Sequence, residues 1–279
     1  MCVMEFNHIL FPVDFSKPCE QAVPWVLQMR ENLGARLTLF HAWESPYSWS
    51  GEINPRLLED LPSMEGLEAQ RQAALNEFRR AHLPSAAAET VLRQGDAAAT
   101  IAEYANAMDV GLIMMPTHGY GRFRAALLGS VTAKVIHDTV CAVWTSAHLE
   151  LLHTPPYPCR LVMCAVDDTD ESINTIRRAG RLVQDLECSL LVVHVIAPDK
   201  AQSEPQLSSR LQSREALAEV SVPICVQKGE ITTVVPETAR RYGADLVVIG
   251  RGHMPDVLGS WRSHVYPIIR SSPCPVLTI

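Results

Sequence analysis

The feature that most constrains this chain is that it is written twice. "ILFPVDFS" (9–16) matches "LVMCAVDDT" (161–169), an apolar run closing on Val-Asp, and "LTLFHAW" (37–43) matches "LLVVHVI" (190–196). "LRQGDAAATIAEYANAMDVGLIMMPTHG" (92–119) matches "VQKGEITTVVPETARRYGADLVVIGRGH" (226–253), and "LLGSVTAKVIHDTVCAVWTS" (127–146) matches "VLGSWRSHVYPIIRSSPCPVLTI" (257–279). The intervals exclude coincidence. Asp14 to Asp167 and His41 to His194 both span 153 residues, Gly95 to Gly229 spans 134, and Gly129 to Gly259 spans 130. Ordered matches separated by two clean deletions mark a duplicated domain, and self-similarity on this scale decides the architecture before any single residue does.

Within each copy, short apolar runs alternate with amphipathic stretches. In the first, strands are predicted near 8–13, 36–42, 89–93, 110–115 and 141–145, and helices near 17–32, 65–81, 97–107 and 129–138. The runs are almost unbroken Val, Ile and Leu, as strands covered on both faces require. Strand and helix in alternation give an α/β fold with a mainly parallel five-stranded sheet per copy and right-handed crossovers. Pro155, Pro156 and Pro158 interrupt regular structure between the copies, which predicts domains over 1–148 and 159–279 joined by a linker at 149–158.

Composition narrows the partners. Lys plus Arg number 24 against 31 Asp plus Glu, a formal charge of −7, and no basic run stands out. Such a chain repels polyanions, so neither nucleic acid nor an anionic membrane is expected as a partner. The first residues read straight into a strand without a basic n-region, so no signal peptide and a cytoplasmic location are expected. The eight cysteines form no C-x-x-C pair and match no histidine cluster. They are expected to be reduced, mostly buried small hydrophobes, with no structural metal.

In an open parallel sheet, ligands bind beyond the carboxyl ends of the strands. Asp14 ends the first strand, His41-Ala42 the second, and the stretch Pro116 to Gly129 follows the fourth. Gly129-Ser130 opens a helix, where backbone N–H groups, a hydroxyl and no obstructing side chain suit a phosphate. The same pair serves equally as an ordinary N-cap. Joined to Asp14 and the loop at 116–121, it points to a phosphate site.

These pieces, in this order, resemble the universal stress protein family in a tandem form covering nearly the whole chain. The family's P-x-D-x-S strand end stands here as Pro12-Val13-Asp14-Phe15-Ser16. Its ATP-binding branch carries G-x-x-G, nine residues, then G-S or G-T; here Gly119 is followed by residues 120–128 and Gly129-Ser130. The resemblance implies two tandem Rossmann-like, adenine nucleotide hydrolase-like domains. It implies that Asp14 contacts adenine while Val13, Ala42 and Met115 wall the base. Gly119, Gly129, Ser130, Val131 and Thr132 would hold ribose and phosphates, and Arg122 and Arg124 the phosphate tail. Pro12, Pro116 and His118 complete the candidate nucleotide site. Pro116 departs from the motif's first glycine, and lacking an N–H it removes a backbone donor.

The second copy is degenerate: only residues 254–258 separate His253 from Gly259-Ser260, and Trp261 and Arg262 replace Val131 and Thr132. A phospho-receiver, an ATP pyrophosphatase and a serine hydrolase each lack a required element: the Asp and Lys after strands three and five, a Ser-Gly-Gly-x-x-Ser loop, or a G-x-S-x-G elbow. Two readings stay open. One is an ATP-binding regulatory protein of the stress response, not an enzyme, with Mg²⁺ arriving on the nucleotide. The other is a nucleotide-free scaffold acting through protein contacts. The apolar last strands, "CAVWTS" (141–146) and "CPVLTI" (274–279), are expected to pair as an intrachain pseudo-dimer, as the family's homodimers do, with room for a further homodimer.

Overall fold

The computed structural model describes residues 6–45, 63–84, 88–117, 128–147, 149, 158–167, 170–196, 222–251 and 258–279, with the backbone alone at 170 and 258–263. The loop residues His118, Gly119, Arg122 and Arg124, and most of the Pro-rich linker, lie outside them.

The described residues fall into two compact units. The first runs to Met115 and resumes over Gly129–Cys141; the second holds Pro116, Thr117 and the chain from Ala142 onward. In the first unit, β1 (His8–Pro12), α1 (Lys17–Leu33), β2 (Arg36–Trp43), α2 (Met64–His82), β3 (Ala88–Gln94), α3 (Ala97–Ala107), β4 (Leu112–Met114) and α4 (Ser130–Asp138) alternate as the periodicity demands. The strands order as β3-β2-β1-β4, all parallel, with Pro12 opposite Phe40 and Leu10 opposite Ile113. Every residue of β1 is buried, as expected of a strand that lies between two neighbours, β2 and β4, in a parallel sheet. Phe11, Phe40, Leu39 and Leu75 are fully enclosed.

The second unit holds β5 (Ala142–Thr145), β6 (Leu161–Val166), α5 (Asp170–Asp185), β7 (Ser189–Ile196), β8 (Ile224–Lys228), α6 (Ile231–Tyr242), β9 (Leu246–Ile249), α7 (Leu258–Ser271) and β10 (Val276–Thr278). Its strand order is β5-β10-β9-β6-β7-β8, parallel except at one join. There β5 and β10 run antiparallel, with Thr145, Trp144 and Val143 opposite Val276, Leu277 and Thr278. The last strand of the first copy therefore pairs with the last strand of the second, as their apolar sequences lead one to expect. Each copy contributes five strands, which is the doubled α/β architecture.

One glycine recurs for a physical reason. Gly95 after β3 and Gly229 after β8 have φ of +139° and +142°, and a Cβ there would stand 2.8 Å from Thr100 Cγ2 or 2.9 Å from Val234 Cγ2. Each donates its N–H across to the end of the neighbouring strand, to Trp43 O at 2.9 Å and Ile196 O at 3.0 Å. Backbone strain and a steric clash coincide at both positions. Gly95→Ala is expected to cost about 1–3 kcal/mol in urea unfolding, with a similar loss for Gly229→Ala.

Candidate functional site

The carboxyl ends of β1, β2 and β4 bring five of the candidate residues together. Val13 N donates to Phe40 O at 2.8 Å, which carries the β1–β2 pairing one residue past the strand and sets Asp14 beside the end of β2. Ala42 lies there on β2, and Met115 directly follows β4, the other neighbour of β1. Pro12, Val13 and Met115 are buried, and Val13 and Met115 are only 4% and 6% exposed, so each offers a slim apolar face. Ala42 and Asp14 are half-buried.

Asp14 is held by its own turn. Its Oδ1 accepts Ser16 N–H at 3.0 Å and Cys19 S–H at 3.1 Å. Between them Phe15 adopts φ +62°, a left-handed conformation unusual for an aromatic residue, and its ring lies 4.4 Å from that of His41. Both bonds fall on Oδ1, which leaves Oδ2 to be aimed elsewhere. Burial, reinforced by the Asp14 charge, pushes the Cys19 thiol up to about 12, so it remains a protonated donor.

The second copy repeats this device with different chemistry. Asp167 Oδ1 accepts Ser172 Oγ–H at 2.6 Å, and Asp167 N–H donates to Ser172 Oγ at 3.1 Å. Cys19 and Ser172 each stand five residues beyond their aspartate. The 153-residue offset that aligns the aspartates also aligns these donors, a signal that a search for identical residues passes over.

His41 is a second element that motif matching omitted from the site. Its Nδ1–H donates to Val13 O at 2.7 Å, and His194 Nδ1–H donates to Val166 O at 3.1 Å. In both copies the imidazole ties the end of the second strand to the residue before the aspartate. His41 Nε2 is buried with no hydrogen-bond partner among the described residues. Burial holds the His41 pKa below its ordinary 6.5, opposed in part by the Val13 carbonyl. The unfolded imidazole thus takes up a proton near 6.5, and the folded one only at lower pH. Stability from this group is complete above that range and declines as pH falls through it. Between about pH 7 and pH 5, the unfolding midpoint is expected to fall less steeply in His41→Asn than in the parent chain.

The remaining candidates open α4. Gly129 is its N-cap, at φ −55° and ψ 141°, and makes no side-chain cap hydrogen bond. The N-termini of α2 and α3 are closed differently, with Ser63 accepting Gly66 N–H and Asp96 accepting Ala99 N–H. Ser130 and Val131 are exposed and Thr132 is buried. Lys134 on α4 bonds Asp96 Oδ1 at 3.0 Å, just past the carboxyl end of β3. The Ala99 N–H and this ammonium, in that order, hold the Asp96 carboxyl below the usual range. Pro116 is buried in the second unit, where Thr117 Oγ1 donates to Ser146 O at 3.1 Å. Among the described residues, no group of three or more His, Cys, Asp or Glu side chains could hold a metal, and no helix is long and apolar enough to cross a membrane.

Duplicated parallel sheets with an anchored aspartate beyond the first strand of each define a tandem Rossmann-like α/β protein. Its relatives narrow the class. The model of the universal stress protein family matches residues 5–146 and again 159–279, and the chain belongs to that family. A universal stress protein of Synechocystis sp. is 29% identical over 142 residues, covering 50% of this chain and 85% of the relative. One from Thermus aquaticus is 29% identical over 140 residues, covering 50% and 96%. Over the whole length, the fold is similar to the crystal structure of a universal stress protein from Archaeoglobus fulgidus, with TM-score 0.71, 18% identity and 98% of each chain covered. It is also similar to a protein of unknown function from Pseudomonas aeruginosa, with TM-score 0.67, 16% identity, and 99% and 93% coverage.

Proposed function

We propose that the first copy binds an adenine nucleotide, with ATP as the ligand, and that the protein acts as a nucleotide-dependent regulator in the stress response. The observation that carries this reading is the Asp14 turn. Two donors fix Oδ1, so the carboxylate is oriented before any ligand arrives and Oδ2 is available to an amino group such as that of adenine. The N-terminus of α4, with glycine in place of a capping side chain, suits a phosphate, since partial positive charge and N–H groups converge there. Ser130 Oγ and the Gly119–Gly129 spacing complete the fit. Mg²⁺ would arrive with the nucleotide, held by its phosphates and water.

We read the protein as a binder and not as a dedicated enzyme. Cys19 is kept as a thiol by burial, and Asp14 is engaged by its own turn, so neither is presented as an activated nucleophile. A cytoplasmic setting fits a chain whose described cysteines are all free thiols. Calorimetric titration of the nucleotide-free full chain with Mg·ATP, ADP and AMP tests the proposal. Saturable binding near one per chain is expected, weakened when Asp14→Ala removes the adenine contact. An absence of heat and of thermal stabilisation with all three nucleotides would favour the scaffold reading.

A further inference from the structure

Two thiols of the second unit lie at the end of its sheet opposite Asp167 and His194. Cys159 lies two residues before β6 and Cys188 immediately before β7, at the amino ends of adjacent parallel strands; Asp167 and His194 lie at or beyond the carboxyl ends. The pairing begins with Leu161 opposite Ser189, and Ser189 N–H donates to Arg160 O at 3.0 Å. Neighbouring strands lie about 4.8 Å apart, inside the Cα separation of roughly 4.4–6.8 Å that a disulfide spans. The Cys159 and Cys188 side chains are interacting neighbours, and both are half-buried, open to a small reagent. The approach to β6 is pinned as well: Asp245 Oδ2 accepts Arg160 N–H at 2.7 Å and Leu161 N–H at 3.1 Å. Cys188 N–H donates to Val183 O at 3.0 Å after the left-handed residue Glu187, φ +51°.

We propose that Cys159 and Cys188 form a peroxide-reactive dithiol that closes to an intramolecular disulfide at the amino edge of the second sheet. The hydrogen bond from Cys159 stabilises the Cys188 thiolate and lowers the Cys188 pKa, against the opposing effects of burial and the Asp245 charge. Cys188 therefore attacks first. Its sulfur bonds to one peroxide oxygen, the O–O bond breaks, and water leaves to give a sulfenic acid. Cys159 sulfur then attacks Cys188 sulfur, the S–O bond breaks, and a second water departs with the Cys159 proton. Two thiols are oxidised and one hydroperoxide is reduced to two waters. The fully buried Cys164 offers no such access, and burial raises its thiol to about 12.

The test uses the full-length protein and hydrogen peroxide in few-fold excess. Thiol titration in denaturant should show loss of two of the eight cysteines. Peptide mapping should place the cross-link at Cys159–Cys188, and dithiothreitol should restore both. Cys159→Ser should trap Cys188 as a sulfenic acid that a dimedone probe labels, whereas Cys188→Ser should abolish the two-thiol loss. Retention of all eight thiols, a cross-link between other cysteines, or an undiminished loss in Cys188→Ser would each overturn the proposal.

Discussion

Gly129→Val should weaken ATP binding at least ~100-fold, about 2.7 kcal/mol, while Gly259→Val should leave it nearly unchanged. Gly129 has φ −55° and ψ 141°, a conformation valine adopts readily, so the substitution tests the ligand and not the backbone. What it adds is a branched side chain at the start of α4, where the phosphates must approach the helix N–H groups. The second copy has lost four loop residues. At about 3.3 Å each, that shortening removes the length needed to wrap a triphosphate. Its helix α7 also begins at Leu258, ahead of Gly259, whereas α4 begins after Gly129. Titration of both variants, with circular dichroism to verify the fold, decides the matter. A stoichiometry of two per chain, or binding lost only in the Gly259 variant, would place the site in the wrong copy.

Loss of β10 should have the largest effect on folding. Truncation after Pro273 should yield a chain that aggregates or dimerises, and Leu277→Asp should lower stability by roughly 4 kcal/mol or more. β10 lies between β9 and β5 and bonds to both. Val276 and Thr278 are fully buried, Leu277 is 2% exposed, and Leu277 stands opposite the fully buried Trp144. A carboxylate at 277 would find no counter-charge among these neighbours, and its desolvation would fall on the fold. Without the strand, β9 and β5 each expose an apolar edge with unpaired N–H and C=O groups, a template for pairing with other chains. Urea unfolding and size-exclusion chromatography read both results. A monomeric, soluble truncated chain with unchanged stability would refute the role assigned to this strand.

The elements were legible because they are written locally. The apolar run at 8–13 gave β1, and the amphipathic stretch at 17–32 gave α1, each within a residue of the observed bounds. The β5–β10 pairing was also readable, since two apolar terminal strands need a partner. The anchoring of Asp14 was not. The donors in the two copies are a thiol and a hydroxyl, and only their bonds to the aspartate reveal the shared task. His41 was visible as a repeated residue, but its contact with Val13 O depends on how β1 and β2 are paired.

The sequence by itself determined the duplication, the alternation of strand and helix, the family motif and the asymmetry between the two loops, because periodicity and spacing are properties of neighbouring residues. Tertiary structure decided which residues face one another. Cys159 and Cys188 look unrelated along the chain, yet the pairing of β6 with β7 brings the segments that enter these strands, and with them the two thiols, side by side. The same non-local pairing places β5, the last strand of the first copy, in the compact unit formed by the second. Strand register is set by burial and hydrogen bonding summed over a whole sheet, and no local stretch of sequence carries that sum.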